Sequence, residues 1–324
     1  MSSLASTTTS SSTTASSSKK RRLETHDSPS APTNELHRWA LNNGCQIYSS
    51  IEIKPSPLGD SGLFVSSDLP SQTSIITLPS SCIITHSIAS ESEIGRACIK
   101  KNEEVGEKFI MQSYLSLGRR EVEGHQFKDY LESLPNISPD PCSWPPSHRA
   151  LLNGTNLGHA VESLITSTRL DYVNNFPEDF KSRVSLSDFI WAGGIIRSRA
   201  FPGRLGREIA SDGCGVLLPF IDMANHRRGE PVEWVKNKNS SVSLKLRDGK
   251  VAGCEIFNNY GGKGNESFLM SYGFALDDTS DDSYGLELGR RGEGGGVVKV
   301  GQRQVLEEAV DTLREMLGGA EEEV

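Results

Sequence analysis

The chain has 324 residues, of which 35% are hydrophobic and 23% charged, enough for one substantial core or two modest ones in a soluble globular protein. Its formal net charge of −8 argues against generic nucleic-acid binding, which needs clustered Lys and Arg to release counterions, and it suits basic partners better. No stretch reaches the roughly 18 to 20 apolar residues of a membrane span, and the Ser/Thr-rich start lacks the apolar core of a secretory signal. Cys45, Cys82, Cys98, Cys142, Cys214 and Cys254 include no CxxC pair, so neither a zinc site nor a dense disulfide framework is signalled, and reduced thiols in an intracellular compartment are expected.

Residues 1–33 are dominated by Ser, Thr, Ala and Pro, a composition that buries too little apolar surface to offset chain entropy, and they read as a disordered tail. Lys19 to Arg22 form a basic run in it, compatible with nuclear import, although most such runs are solvated charge. Folded structure is expected from near Asn34. Short β-rich runs follow: Gln46 to Ile53, Gly62 to Val65, Ser74 to Leu78 and Cys82 to Ile84. From about Glu91 to Phe201 the period lengthens. Phe109, Ser113 and Leu117 stand four apart, and Phe127, Tyr130, Leu131 and Leu134 share a face before Pro135. A further helix is expected from Ser187 as N-cap to Arg199, weakened by Gly193-Gly194. Strand patterns return at Val216 to Ile221, at Val232 to Val235 paired with Val242 to Leu246 across Asn237 to Ser240, and at Cys254 to Asn259. A Gly-rich loop spans Gly289 to Gly296, and Val305 to Leu317 has helical spacing.

Four segments stand out: Gly59 to Phe64, Arg197 to Phe201, Asp222 to His226, and Tyr260 to Phe274. Singly, each has a structural reading. The glycines near 60 suit a tight hairpin, Arg199 an ion pair, Asn225-His226 a helix cap and a core histidine, and the tyrosines half-buried aromatics.

Together they resemble the SET-domain protein methyltransferases, in the branch of the Rubisco large-subunit lysine methyltransferase. The resemblance runs from about Gln46 to Leu276. It is carried by Gly62-Leu63-Phe64, by Phe127 to Pro135, by Leu151 to Leu157, by Ser198 to Phe201, by Leu218 to His226, by Tyr260-Gly261 and by Ser271-Tyr272-Gly273-Phe274. It implies an α+β fold: a β-rich SET core at 34–276 closed by a pseudoknot, interrupted by a helical insert at about 91–206, and followed at 277–324 by a short remnant of a helical substrate-binding region. The pseudoknot would bring Asn225, His226 and Tyr260 together, although threading is disfavoured in most folds.

The implied activity is methyl transfer from S-adenosyl-L-methionine to a lysine of a protein substrate. No metal is implied. An in-line displacement needs two reactants held collinear and dry, so effective molarity supplies most of the rate. In the implied roles, backbone groups of Asp60, Ser61, Gly62 and Leu63 let the cofactor lie close. Arg199 pairs with its carboxylate, Asp222 belongs to the same set, and Asn225 with the backbone of His226 holds its amino group and adenine edge. Phe274 packs on the adenine. Tyr260 is the implied catalytic residue beside the transferring methyl, and Tyr272 lines the same channel. Desolvation and the adjacent sulfonium keep the attacking amine neutral, so no general base is assigned. The family's first motif is Gly-x-Gly-Leu or Gly-x-Gly-Val, and here Asp60 stands where its first glycine aligns. The implied partners are a basic protein such as a ribosomal protein or histone, with no direct nucleic acid and no membrane. A monomer in the nucleus or cytoplasm is expected. Three alternatives remain open: a catalytically silent SET-like interaction module, methylation of histidine, and a phosphate cradle in the Gly261 to Asn265 loop.

Overall fold

The computed structural model describes residues 30–206 and 213–282, with side chains from Glu35 onward except that of Asp60. The basic run at Lys19 to Arg22, the Gly289 to Gly296 stretch and the Val305 to Leu317 segment lie outside the described residues.

Helix α1 (Ser30–Asn42) starts four residues ahead of the expected boundary. It buries Leu36, Trp39 and Ala40, whose three-to-four spacing puts them on one face. Four strands follow, β1 (Gln46–Ile47), β2 (Ile51–Ser56), β3 (Gly59–Val65) and β4 (Ser74–Leu78). The helical block comprises α2 (His86–Glu91), α3 (Glu93–Lys101), α4 (Glu107–Arg120), α5 (Lys128–Ser133), α6 (Pro146–Arg149), α7 (Asn156–Asn175) and α8 (Leu186–Arg199). Strands β5 (Val232–Lys236), β6 (Val242–Leu246) and β7 (Glu255–Ile256) and helix α9 (Asn265–Tyr272) complete the described chain. No described helix is long and apolar enough to cross a membrane.

The two strand-rich ends of the chain join in two sheets. One has the order β1-β4-β6-β5 and the other β2-β3-β7, with antiparallel pairing throughout. A turn explains the split, because Ile51 N–H donates to Tyr48 C=O at 2.9 Å and breaks the Gln46 to Ile53 run. β1 then stays with β4 while β2 turns to β3. Leu63 pairs with Ile256, both fully buried, so the inner face of the second sheet joins the main core.

Two apolar runs read as strands are not strands. Of Cys82 to Ile84, Cys82 ends a 3-10 turn (Ser80–Cys82) and Ile84 makes a single bridge to Leu217, while of Val216 to Ile221 only Val216 and Leu217 make bridges, to Phe201 and Ile84. Beyond them Phe220 takes φ +73°, which no β-strand accommodates. Helix α8 is capped by Ser185 instead of Ser187. Ser185 Oγ accepts from Asp188 N–H while Ser185 N–H donates to the Asp188 carboxylate, a reciprocal box that Ser187 has no acid three residues on to form. Gly193 and Gly194 do not break α8; they let it approach Gln112 on α4 and the Ser138 to Asp140 turn.

Helix α9 ends on Gly273 at φ +76°, where an added Cβ would run into the Pro139 carbonyl. Gly273→Ala combines left-handed strain with that collision, and it is expected to cost about 2 to 4 kcal/mol of stability. Urea unfolding of the two proteins measures the difference.

Candidate functional site

The segment after Phe220 builds the site. Phe220 is fully buried at positive φ, a strain that surrounding packing must hold. It launches a one-turn 3-10 helix, Ile221–Met223, that places Asp222 inward. His226 then pairs in parallel with Asn258. Asn258 N–H donates to Asn225 C=O at 2.7 Å, and Arg227 N–H donates to Asn258 C=O at 2.9 Å. This pairing delivers Tyr260 beside His226: Tyr260 N–H donates to His226 Nδ1 at 3.1 Å, and its hydroxyl donates to Ala224 C=O at 3.0 Å. Asn225, His226 and Tyr260 are thus brought together from positions more than thirty residues apart in sequence.

Arg199, at the end of α8, is committed inside the protein. Its Nη1 donates to the Asp222 carboxylate at 3.0 Å and to the Asp222 carbonyl at 3.2 Å. The hydroxyl of fully buried Tyr130 donates to the same carboxylate oxygen at 2.8 Å. Burial pushes the Asp222 carboxyl up, against the opposing pull of Arg199. This buried triad was not assigned from sequence, since its members lie 23 and 92 residues from Asp222. Asp222 Oδ1 is buried with no hydrogen-bond partner among the described residues.

The aromatic residues form a stack. Tyr272 and Tyr260 have centroids 4.7 Å apart, Tyr260 and His226 5.1 Å, and His226 and Phe274 6.2 Å, each close to parallel. Burial pushes the Tyr260 phenol well above its ordinary range and that of Tyr272 upward as well, so both stay protonated near neutral pH. Burial, helped by Arg228, lowers the His226 ring from 6.5 to about 4. The ring is therefore neutral. With Nδ1 accepting from Tyr260 N–H, the proton sits on Nε2, and Nε2 is buried without a partner among the described residues.

Because the unfolded ring takes up its proton near pH 6.5 and the folded ring only near 4, this stabilisation is present above about pH 6.5 and is lost as pH falls toward 4. The expected loss is about 3 kcal/mol. His226→Gln should flatten that part of the stability-versus-pH curve, which urea titrations between the two pH values measure.

On the other side of Asn225 lies the turn of β3. Asn225 Nδ2 donates to Ser61 C=O at 3.0 Å and to the Glu255 carboxylate at 2.7 Å. A Cβ at Gly62 would stand 3.1 Å from Asn225 Nδ2 and against the Glu255 carboxylate, so that backbone is kept bare where two polar side chains converge. Leu63 is fully buried in the core. Sequence reasoning missed Glu255, which carried no motif signal beyond lying in the Cys254 to Asn259 strand.

A cavity of about 990 Å³ opens between α8, the Gly213 to Gly215 segment, β5 and the Asn258 to Lys263 segment. Arg199, Phe201, Asp222, Trp234, Tyr260 and Tyr272 contribute to its wall. Phe201 and Trp234 meet edge to face at 5.2 Å. Gly62, Asn225, His226 and Phe274 do not line it. The expected residues therefore fall into two groups that meet at Asp222 to His226 and Tyr260. In the Gly261 to Asn265 loop, two of the N–H groups a phosphate would use are already engaged, that of Gly261 by Asn259 Oδ1 and that of Asn265 by the Asp282 carboxylate.

No family model matches the chain. A ribosomal lysine N-methyltransferase of Schizosaccharomyces pombe is 29% identical over 78% of this chain and 47% of its own length. The chloroplastic ribulose-1,5 bisphosphate carboxylase/oxygenase large subunit N-methyltransferase of Nicotiana tabacum is 24% identical over 79% of this chain and 54% of its own. The chain thus spans about half the length of the curated relatives it matches. Among solved structures, the SET domain of LSMT bound to lysine and AdoHcy superposes with a TM-score of 0.66 at 24% identity, over 77% of this chain and 58% of that one. The mixed helix and strand fold is that of this SET domain.

Proposed function

We propose that this chain, whose relatives are SET-domain lysine methyltransferases and whose fold is that of a SET domain, transfers a methyl group from S-adenosyl-L-methionine to a lysine side chain of a protein. The observation that carries the reading is the meeting of two groups at Tyr260: an aromatic-walled cavity on one side, and the bare Gly62 backbone with Asn225 on the other.

The residues fit such a cofactor. Asp222 Oδ1 and His226 Nε2 are buried polar atoms that lack partners among the described residues, and Gly62 leaves room where a side chain would obstruct. Asp60, Ser61, Gly62 and Leu63 would supply backbone contacts, Asn225 and His226 polar ones, and Phe274 an apolar face. Arg199 already serves Asp222 through Nη1, so a ligand carboxylate would share its remaining donors. A bound cofactor would supply a sulfonium methyl; the amine nitrogen would bond to that carbon as its bond to sulfur broke, with S-adenosylhomocysteine as the leaving group and the amine's proton going to solvent.

The chain's own residues orient and exclude water. Tyr260, held at both its N–H and its hydroxyl, fixes one oxygen where the two groups meet. It is protonated near neutral pH and so acts by position, not as a base. Tyr272, Phe201 and Trp234 give the incoming side chain apolar walls, which favour a neutral amine. Lysine is better supported than histidine as the target residue, because relatives at 28% to 29% identity are named as lysine N-methyltransferases, whereas an actin-histidine N-methyltransferase matches at 22%.

The same reading takes 34–276 as the SET unit, with the helices after β4 as its insert and the segment through Tyr260 threaded as a pseudoknot. The β3–β7 and β4–β6 pairings and the parallel His226–Asn258 bridge support it. The net charge of −8 favours a basic protein substrate, ribosomal or histone, met in the nucleus or cytoplasm. Calorimetric titration with S-adenosylmethionine and S-adenosylhomocysteine, followed by labelled methyl transfer to a cell-free protein pool, tests the proposal. Micromolar binding and Tyr260-dependent labelling are expected. Binding without transfer would indicate a silent interaction module, and the absence of both would overturn the reading.

A further inference from the structure

Glu255 stands beside the Gly62 turn without any assigned task. It lies on β7 opposite Phe64, in register with Leu63 opposite Ile256. Leu63 and Ile256 point into the core, so Glu255 and Gly62 share the other face of this ladder. There the Glu255 carboxylate is fixed from two directions. Ser56 Oγ lies 3.0 Å from both of its oxygens, and Asn225 Nδ2 donates to Oε1 at 2.7 Å. The carboxylate touches the space a Gly62 side chain would fill. It therefore stands at the turn and at the asparagine to which the proposed function gives a polar contact with the cofactor, the one the resemblance implies for its amino group.

We propose that Glu255 binds the ammonium group of the cofactor's methionine moiety; this rests on the cofactor reading above. The chemistry favours such a partner. A ligand ammonium leaving water for a half-enclosed site needs hydrogen-bond acceptors, and an acceptor of opposite charge makes the strong form of that bond. Ser61 C=O accepts one bond from Asn225 and keeps a second lone pair, and neither it nor the Asn225 amide carries a charge. Glu255 carries a full one. A carboxylate offers about four lone-pair positions, and Ser56 and Asn225 donate one proton each, so acceptor capacity remains for a third donor. Ser56 and Asn225 preset its orientation, so little side-chain entropy is lost on binding.

The test compares two ligands on two proteins. S-adenosylhomocysteine and its analogue with hydrogen in place of the amino group are titrated calorimetrically into the unsubstituted chain and into Glu255→Gln, which keeps the shape and an acceptor for Asn225. Both ligands are titrated into the same preparation, so any loss of folded protein cancels in their ratio. The unsubstituted chain should prefer S-adenosylhomocysteine by about ten- to a hundredfold, and Glu255→Gln should remove most of that preference while leaving the analogue's affinity nearly unchanged. An equal loss for both ligands would make Glu255 a support for Asn225 only and overturn the proposal, as would an undiminished preference. Failure of the unsubstituted chain to bind S-adenosylhomocysteine at all would instead remove the cofactor reading, and this inference with it.

Discussion

Tyr260→Phe is expected to leave S-adenosylhomocysteine affinity nearly unchanged while cutting methyl transfer by about a hundredfold or more, the size associated with removing one positioned polar group from a reacting centre. The geometry separates the two effects. The ring is sandwiched between His226 at 5.1 Å and Tyr272 at 4.7 Å, and the backbone N–H is held by His226 Nδ1, and none of these contacts needs the hydroxyl. Phenylalanine therefore keeps the stack and the chain path. What is lost is the oxygen 3.0 Å from Ala224 C=O. Ala224 immediately precedes Asn225, so calorimetry is the measurement that separates an effect on the cofactor from one on transfer. Unchanged turnover would remove Tyr260 from catalysis, and lost affinity would make it part of the pocket's framework.

The legible part of the site was the part written in contiguous residues. The stretches at Ser74 to Leu78 and Val242 to Leu246 are β-branched or apolar runs bounded by turns, and both are strands as read. The faces of Phe109 and of Phe127 to Leu134 were likewise plain, because helical spacing is local information and these residues are buried on α4 and around α5. Local pattern failed where a long-range partner decides the backbone. Val216 to Ile221 has the composition of a strand, yet only bridges form, and Phe220 turns the chain at positive φ because the packing around it outweighs the cost. That same turn aims Asp222, so the misread residues are the ones that build the site. The Arg199–Asp222–Tyr130 triad and the Asn225–Glu255 contact were invisible for the same reason. The Ser185 cap differs: its signal, an acid three residues on, was present in the sequence.

Gly62→Ala should lower S-adenosylhomocysteine affinity by about ten- to a hundredfold with little change in stability, and the contrast between the two readouts carries the argument. Gly62 sits in β3 opposite Lys54, at a backbone angle any residue adopts, so alanine brings no left-handed strain and gains a little by restricting the unfolded chain. The new methyl would collide with Glu255 Oε1 and stand 3.0 Å from that carboxyl carbon and 3.1 Å from Asn225 Nδ2, so the ends of both side chains must move. Moving them relieves the clash in the fold. It also breaks the Ser56–Glu255–Asn225 arrangement that faces the turn, and a ligand lying along the bare backbone would meet the methyl directly. Thermal unfolding should therefore shift by no more than a few degrees while calorimetry records the affinity loss. Asn225→Ala should cost about 1 to 3 kcal/mol of cofactor affinity by leaving Ser61 C=O and Glu255 without their donor. If both substitutions act on one pocket, the double variant should lose less than the sum of the two. Full additivity would place Gly62 outside the cofactor site, and a large stability loss with unchanged affinity would return the glycine to a purely structural role in the hairpin.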